Sequence, residues 1–173
     1  MPPRLGQPAE LDDLLLYRIA RLLATAGSMV IRLCEGRFGI TRREWRLLAI
    51  LARQPGLMSS QLADRAQLDR ARTSRAVTSL VDKGLLLRQP GPADRREARL
   101  ALTARGQQVY AELFPLVAAI NREMLEVLDP EHLEALDVSL AALQARSEAM
   151  VAASSAVLPK ADRRGGRSRR TPG

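Results

Sequence analysis

The sequence predicts a mainly α-helical chain with one small β-hairpin, and three observations carry that prediction. Apolar residues recur at helical three- and four-residue spacing over most of residues 11–155. Glycine and proline at Gly36, Pro55-Gly56, Gly84 and Asp129-Pro130 cut that pattern into separate helices. Period-two alternation occurs beside the turn-rich run Pro90-Gly91-Pro92-Ala93-Asp94-Arg95-Arg96, as a hairpin requires.

The first helix is predicted over Leu11–Glu35, where Leu15, Ile19, Leu22, Leu23, Ala26, Val30 and Leu33 share a face, with Gly36 ending it. Thr41 opens the second through a capping box with Glu44, each side chain reaching the other's free backbone amide. Trp45, Leu47, Leu48 and Leu51 form its apolar face, and Pro55-Gly56 stops it. Two short helices follow. Ser59 or Ser60 caps the first and Asp69 the second, with Gly84 supplying the final turn. Strands are predicted over Leu85–Arg88 and Ala98–Leu102. Thr103 caps a long helix to about Leu128, bent near Pro115, which lacks an amide. Asp129-Pro130, a cap followed by a proline at the first helical position, begins the last helix. Its Leu133, Leu136, Leu140, Leu143 and Met150 form a seam.

Composition bounds the function. The 173 residues are 46% apolar, enough for a genuine core. Of the net charge of +8, five charges lie in residues 160–173, an Arg/Gly/Ser/Pro-rich stretch without apolar periodicity that is expected to be disordered. Arg18, Arg21 and Arg32 interrupt the most apolar stretch short of the roughly 18 residues a membrane span needs. The polar, acidic, proline-bearing start is unlike a signal peptide, so the expected location is cytoplasmic. One cysteine and one histidine argue against a disulfide framework or a zinc site. Without a nucleotide-binding glycine loop, a nucleophile elbow or a second histidine, an enzyme is not expected, nor a cofactor.

Double-stranded DNA is the partner this pattern suits. Ala76, Val77, Leu80 and Val81 share an inward face with Thr73 on the fourth helix, which leaves Arg70, Arg72, Ser74, Arg75 and Thr78 outward. Short hydroxyls and arginines near a helix N-terminus can reach base edges in the major groove. Ser59 and Ser60, starting the preceding helix, are further candidate DNA-binding residues. The hairpin tip offers Arg95 and Arg96 to a narrow minor groove, where negative potential is enhanced, with Asp94 aiming the tip through an ion pair.

These residues resemble the MarR family of winged helix-turn-helix regulators, over about Leu11–Val151. The most specific match is Asp94-x-Arg96 followed by Leu102-Thr103-x-x-Gly106, similar to the family's wing signature. The resemblance implies that Arg96 is the wing-tip arginine, Asp94 its orienting partner and Arg75 the recognition-helix arginine. Ala71 and Arg72 depart from the short hydroxyl residues common there, so base preference does not carry over. The implied organisation is a flexible segment 1–10, a domain over 11–158, and a basic tail over 159–173. Within the domain, helices 11–35 and 104–155 build a dimerisation lobe around a winged lobe over 41–103. A homodimer of this kind sets recognition helices about 34 to 36 Å apart on a pseudo-palindromic operator.

Many relatives respond to small aromatic acids, and the resemblance puts Arg18, Arg32, Trp45, Tyr110 and Phe114 forward as carboxylate partners and flat walls. The expected function is thus a repressor released by an aromatic carboxylate, with no membrane partner. Two alternatives stay open: a thiol-based sensor through Cys34, and a noncatalytic RNA- or nucleoid-binding protein. RNA recognition leans on stacked aromatics, and residues 59–106 hold none. The basic tail suits a nonspecific DNA-binding arm or a solubilising terminus equally.

Overall fold

A computed structural model of the protein describes residues 4–90 and 98–154. Within them the order is a 3-10 turn at Leu11–Asp13, α1 (Leu15–Phe38), α2 (Arg42–Arg53), β1 (Leu57–Met58), α3 (Ser59–Ala66), α4 (Arg70–Asp82), β2 (Leu86–Pro90), β3 (Ala98–Leu102), α5 (Ala104–Leu125) and α6 (Pro130–Ser154). The chain divides between Met124 and Leu125 into two compact units.

In the first unit, the expected mainly helical fold with a small antiparallel sheet is what forms. The sheet has the order β1-β3-β2. Leu86 pairs with Leu102, Arg88 with Leu100 and Pro90 with Ala98, so β2 and β3 are the expected hairpin. Its connection, with Asp94, Arg95 and Arg96, lies outside the described residues. The sequence pattern missed β1. Leu57 pairs with Leu100 and Met58 with Arg99 on the other edge of β3, and two residues are too few to show alternation.

Alternation decides burial on β3, whereas on β2 burial falls off along the strand. Leu86, Leu100 and Leu102 face the core, while Arg88 and Gln89 are exposed. Leu47, Leu48, Leu51, Leu62, Val77, Leu80 and Leu113 complete one cluster with them, which locks α2, α3, α4, the sheet and α5 together.

Local chemistry fixes most helix ends. Thr41 Oγ1 accepts from the Glu44 amide at 3.1 Å, and Glu44 Oε2 accepts from the Thr41 amide at 2.6 Å, closing the predicted capping box. Asp69 Oδ1 accepts from the Arg72 amide at 2.8 Å. Thr103 Oγ1 accepts from the Gly106 amide at 3.0 Å and donates to the Gly84 carbonyl at 2.7 Å. Gly106 itself is required by space, since a Cβ there would overlap the Leu85 carbonyl oxygen. The Thr103-x-x-Gly106 spacing therefore locks the start of α5 against the start of β2.

Several boundaries differ from expectation, among them the first hairpin strand, expected over Leu85–Arg88 and found over Leu86–Pro90. Helix α1 starts at Leu15 and runs through Gly36 to Phe38, and Gly39, at φ 63°, ends it. The apolar pattern continues to Phe38, and an interior glycine costs a helix only about 1 kcal/mol. Ser59 and Ser60 lie inside α3 rather than capping it; Met58 is the cap residue, its amide donating to Gln61 Oε1 at 2.9 Å. Helix α5 ends at Leu125, ahead of Leu128, and runs continuously through Pro115.

In the second unit, Asp129 Oδ1 accepts from the His132 amide at 2.8 Å and caps α6 as expected. Leu133, Leu136, Leu140, Leu143 and Met150 are exposed on that helix.

Candidate nucleic-acid interface and adjoining cleft

Helix α4 presents one face because its other face is anchored. Thr73, Ala76, Val77 and Leu80 are buried, and Thr73 Oγ1 donates to the Asp69 carbonyl at 3.1 Å, which satisfies the one polar group on that side. Arg70, Arg72, Ser74, Arg75 and Thr78 are left exposed, as expected. Arg72 Nε lies 3.1 Å from Asp69 Oδ2, which ties this arginine to the helix start. Ser59 and Ser60 are half-buried in the first turn of α3.

A further cation joins this face from the sheet. Arg88 Nη2 on β2 donates to Thr78 Oγ1 at 3.2 Å, coupling the hairpin to α4. Sequence reasoning missed Arg88, because alternation alone places it on the same strand face as the buried Leu86 and gives no sign that it is exposed toward the end of β2. Behind the helix, Lys83 at the end of α4 donates to both carboxylate oxygens of the buried Glu44, at 3.0 and 2.9 Å. Burial pushes the Glu44 carboxyl up, but hydrogen bonds from Lys83, Ser79 and the Thr41 amide, with the ammonium charge, outweigh it and hold the carboxyl below its ordinary value.

A cleft of about 590 Å³ opens beside this lobe, between α1, α2 and α3. Leu23, Gly27, Val30, Ala49, Ile50 and Trp45 form its apolar walls; Arg42, Arg46, Arg53 and Arg65 supply cations, and no described acidic residue lines it. Glycine at position 27 lets the Arg42 guanidinium lie against α1, because a Cβ there would come within 2.7 Å of Arg42 Nη1. Arg46 also donates from Nη1 to the Ala66 carbonyl at 3.0 Å, at the end of α3.

The five expected cleft residues separate. Trp45 stacks on Tyr110 with ring centroids 5.7 Å apart, and Tyr110 meets Phe114 at 5.5 Å, so the aromatics converge. Of the three, only Trp45 lines the cleft. Arg18 instead borders a polar recess with Arg4, Glu10, Asp12 and Arg21, and Arg32 is exposed on α1 away from the cleft. Their helical phase turns them from Trp45. Arg42, Arg46 and Arg53 take that place, a set whose spacing of four and seven along α2 marks one stripe.

Cys34 is fully buried, and burial, with the nearby Glu35 charge, pushes its thiol above the ordinary value. A thiol so placed is a poor thiolate source, which counts against the redox alternative. His132 lies exposed beside Asp129 on α6. Among the described residues no cluster of histidine, cysteine and carboxylate side chains suits a metal, and no helix is long and apolar enough to cross a membrane.

Comparison with known proteins agrees with this architecture. The sequence model of the MarR family matches residues 38–97, from the end of α1 through the hairpin connection. The crystal structure of a MarR-family transcriptional regulator from Silicibacter pomeroyi superposes with a TM-score of 0.69 at 26% identity, covering 79% of this chain and 92% of that one. The chain is thus similar to the MarR family in sequence over residues 38–97 and shares the fold of a MarR-family regulator. A structure of the transcriptional repressor CouR bound to a 23-mer DNA duplex matches this chain at 26% identity with a TM-score of 0.70, covering 79% of this chain and 96% of CouR. A protein of Thauera aromatica, provisionally described as the transcriptional regulatory protein for its hcr operon, is 36% identical over 75 residues. That match spans 43% of this chain and 45% of the Thauera protein. These relatives and the shared fold belong to transcriptional regulators rather than to enzymes.

Proposed function

We propose that this chain is a cytoplasmic homodimeric repressor that reads a pseudo-palindromic operator in double-stranded DNA and is released by a small aromatic acid. The observation carrying the DNA reading is the two-sided α4: a buried face of Thr73, Ala76, Val77 and Leu80 fixes its orientation, and its exposed face offers Arg72, Ser74, Arg75 and Thr78. The Arg88–Thr78 hydrogen bond extends that face to the hairpin. CouR, a repressor crystallised on a DNA duplex, shares the fold, which supports the same use here.

The dimer reading is supported by apolar side chains left outward on each of two helices. Leu16, Leu22 and Leu23 are exposed on α1, and Leu133, Leu136 and Leu140 on α6. A groove of about 310 Å³ between α1 and α5, lined by Ile19, Leu22, Val30, Val117, Ile120 and Met124, is similarly apolar. The effector reading rests on the cleft, where one indole wall and four guanidinium groups suit a flat organic anion.

Selection of duplexes from a random pool, with the mass of the complex measured by light scattering, tests the core of the proposal. The expected result is a twofold-symmetric site with half-sites about one helical turn apart, bound by two chains. Enrichment of no site, or of an asymmetric site bound by one chain, overturns it.

A further inference from the structure

We propose that Arg46 is the positioning residue through which occupancy of the cleft reaches the recognition helix. This rests on the reading of the cleft as the effector site and adds how that site communicates.

Arg46 stands in two places at once. Arg46 lines the cleft with Trp45 and Arg53, and its Nη1 donates to the Ala66 carbonyl at 3.0 Å. Ala66 ends α3, and Asp69, three residues on, caps α4. The turn between them is held at Gln67 with φ 53°, in the left-handed region that disfavours a residue with a side chain. Backbone bonds from Gln67 to the Asp64 carbonyl and from Leu68 to the Ala63 carbonyl secure the neighbouring groups, and the Arg46 guanidinium secures the Ala66 carbonyl.

An anion entering the cleft competes for that guanidinium. A carboxylate is a stronger acceptor for arginine than a neutral carbonyl, so the bound acid draws Arg46 toward itself. The Ala66 carbonyl then loses its partner, the strained turn loses a restraint, and the angle at which α3 delivers α4 changes. The free energy available is the difference in affinity of the acid for the two states.

Trp45 is the only tryptophan, so its fluorescence reports cleft occupancy in the full chain directly. Benzoate and 4-hydroxybenzoate serve as probes, and anisotropy of a duplex selected from a random pool reports DNA affinity. In the natural protein a saturating probe is expected to lower DNA affinity about tenfold. Arg46→Met is expected to start with lowered DNA affinity and to lose most of that response while a probe still perturbs Trp45; Arg46→Lys, which keeps a cationic donor, regains part of it. Arg53→Met is expected to need more probe yet reach the same final loss. If Arg46→Met releases DNA as fully as the natural protein, the coupling is refuted while the cleft reading stands. If neither probe perturbs Trp45, the cleft reading falls and the coupling with it.

Discussion

Lys83, at the end of α4, grips both carboxylate oxygens of Glu44 in the first turn of α2, 39 residues earlier in the chain. Glu44 thus serves two helices at once, closing the capping box with Thr41 and holding α4 by its far end.

Removing one partner leaves the other without its match. Glu44→Gln is expected to destabilise the fold by about 1 to 2 kcal/mol, less than a fully buried pair because Lys83 remains in part solvated. The pH dependence follows from the lowered Glu44 pKa. This contribution is present above the ordinary glutamate value of 4.5 and is lost as pH falls through the depressed folded value. Urea melts between pH 7 and 3 check both points: Glu44→Gln should narrow its gap to the natural protein on the acid side, and an unchanged gap counts against the pair.

Arg75→Ala removes the exposed guanidinium at the centre of the α4 face. The expected loss is about 1 to 3 kcal/mol in affinity for a selected duplex, with relaxed preference at one position of each half-site. Uniform weakening across sequences would reassign Arg75 to phosphate. Arg96→Ala, in the hairpin connection outside the described residues, is expected to weaken duplex binding at least about fivefold without changing the mass of the protein in solution.

Gly106→Ala forces a methyl group into the Leu85 carbonyl. A loss of roughly 2 kcal/mol or more is expected, because backbone rather than a mobile side chain must give way. Thr103→Val, which keeps the shape but removes the bonds to Gly84 and Gly106, should cost about 1 kcal/mol. Thermal melts rank the two, and a milder Gly106→Ala would mean that α5 and β2 separate easily.

Cys34 should be chemically silent. Its burial and raised pKa predict no labelling by a disulfide reagent in the folded protein over the time in which the unfolded chain reacts fully. Peroxide release of DNA that vanishes in Cys34→Ser would reverse that assignment.

Deleting residues 160–173, which also lie outside the described residues, removes five net positive charges. The slope of DNA affinity against salt should flatten while sequence preference is kept. A changed preference means that the tail touches bases.

What the sequence revealed was chemistry that acts over a few residues. Thr41 with Glu44, Asp69, Thr103 with Gly106, and Asp129-Pro130 each mark a helix start by short-range bonding, and all appear in place. The α4 face was legible because burial has the helical period there. Relations across space were not. Glu44 looked like a capping residue alone, since nothing local points to Lys83. Arg42, Arg46 and Arg53 looked like the solvated face of α2 until α1 and α3 closed around them, and Arg18 and Arg32 were favoured for chemistry without knowledge of their helical phase.

The two-residue strand β1 carries a last consequence. Because Leu57 and Met58 stitch the start of α3 to β3, while Arg99 Nη1 reaches back to the Gly56 carbonyl at 3.1 Å, hairpin and helix pair share a single footing. An insertion at Gln54–Leu57 would disturb hairpin and helix pair together, whereas lengthening the connection beyond Pro90 would leave that footing intact. The length of that connection can therefore vary in evolution without rebuilding the joint between β1, β3 and the start of α3.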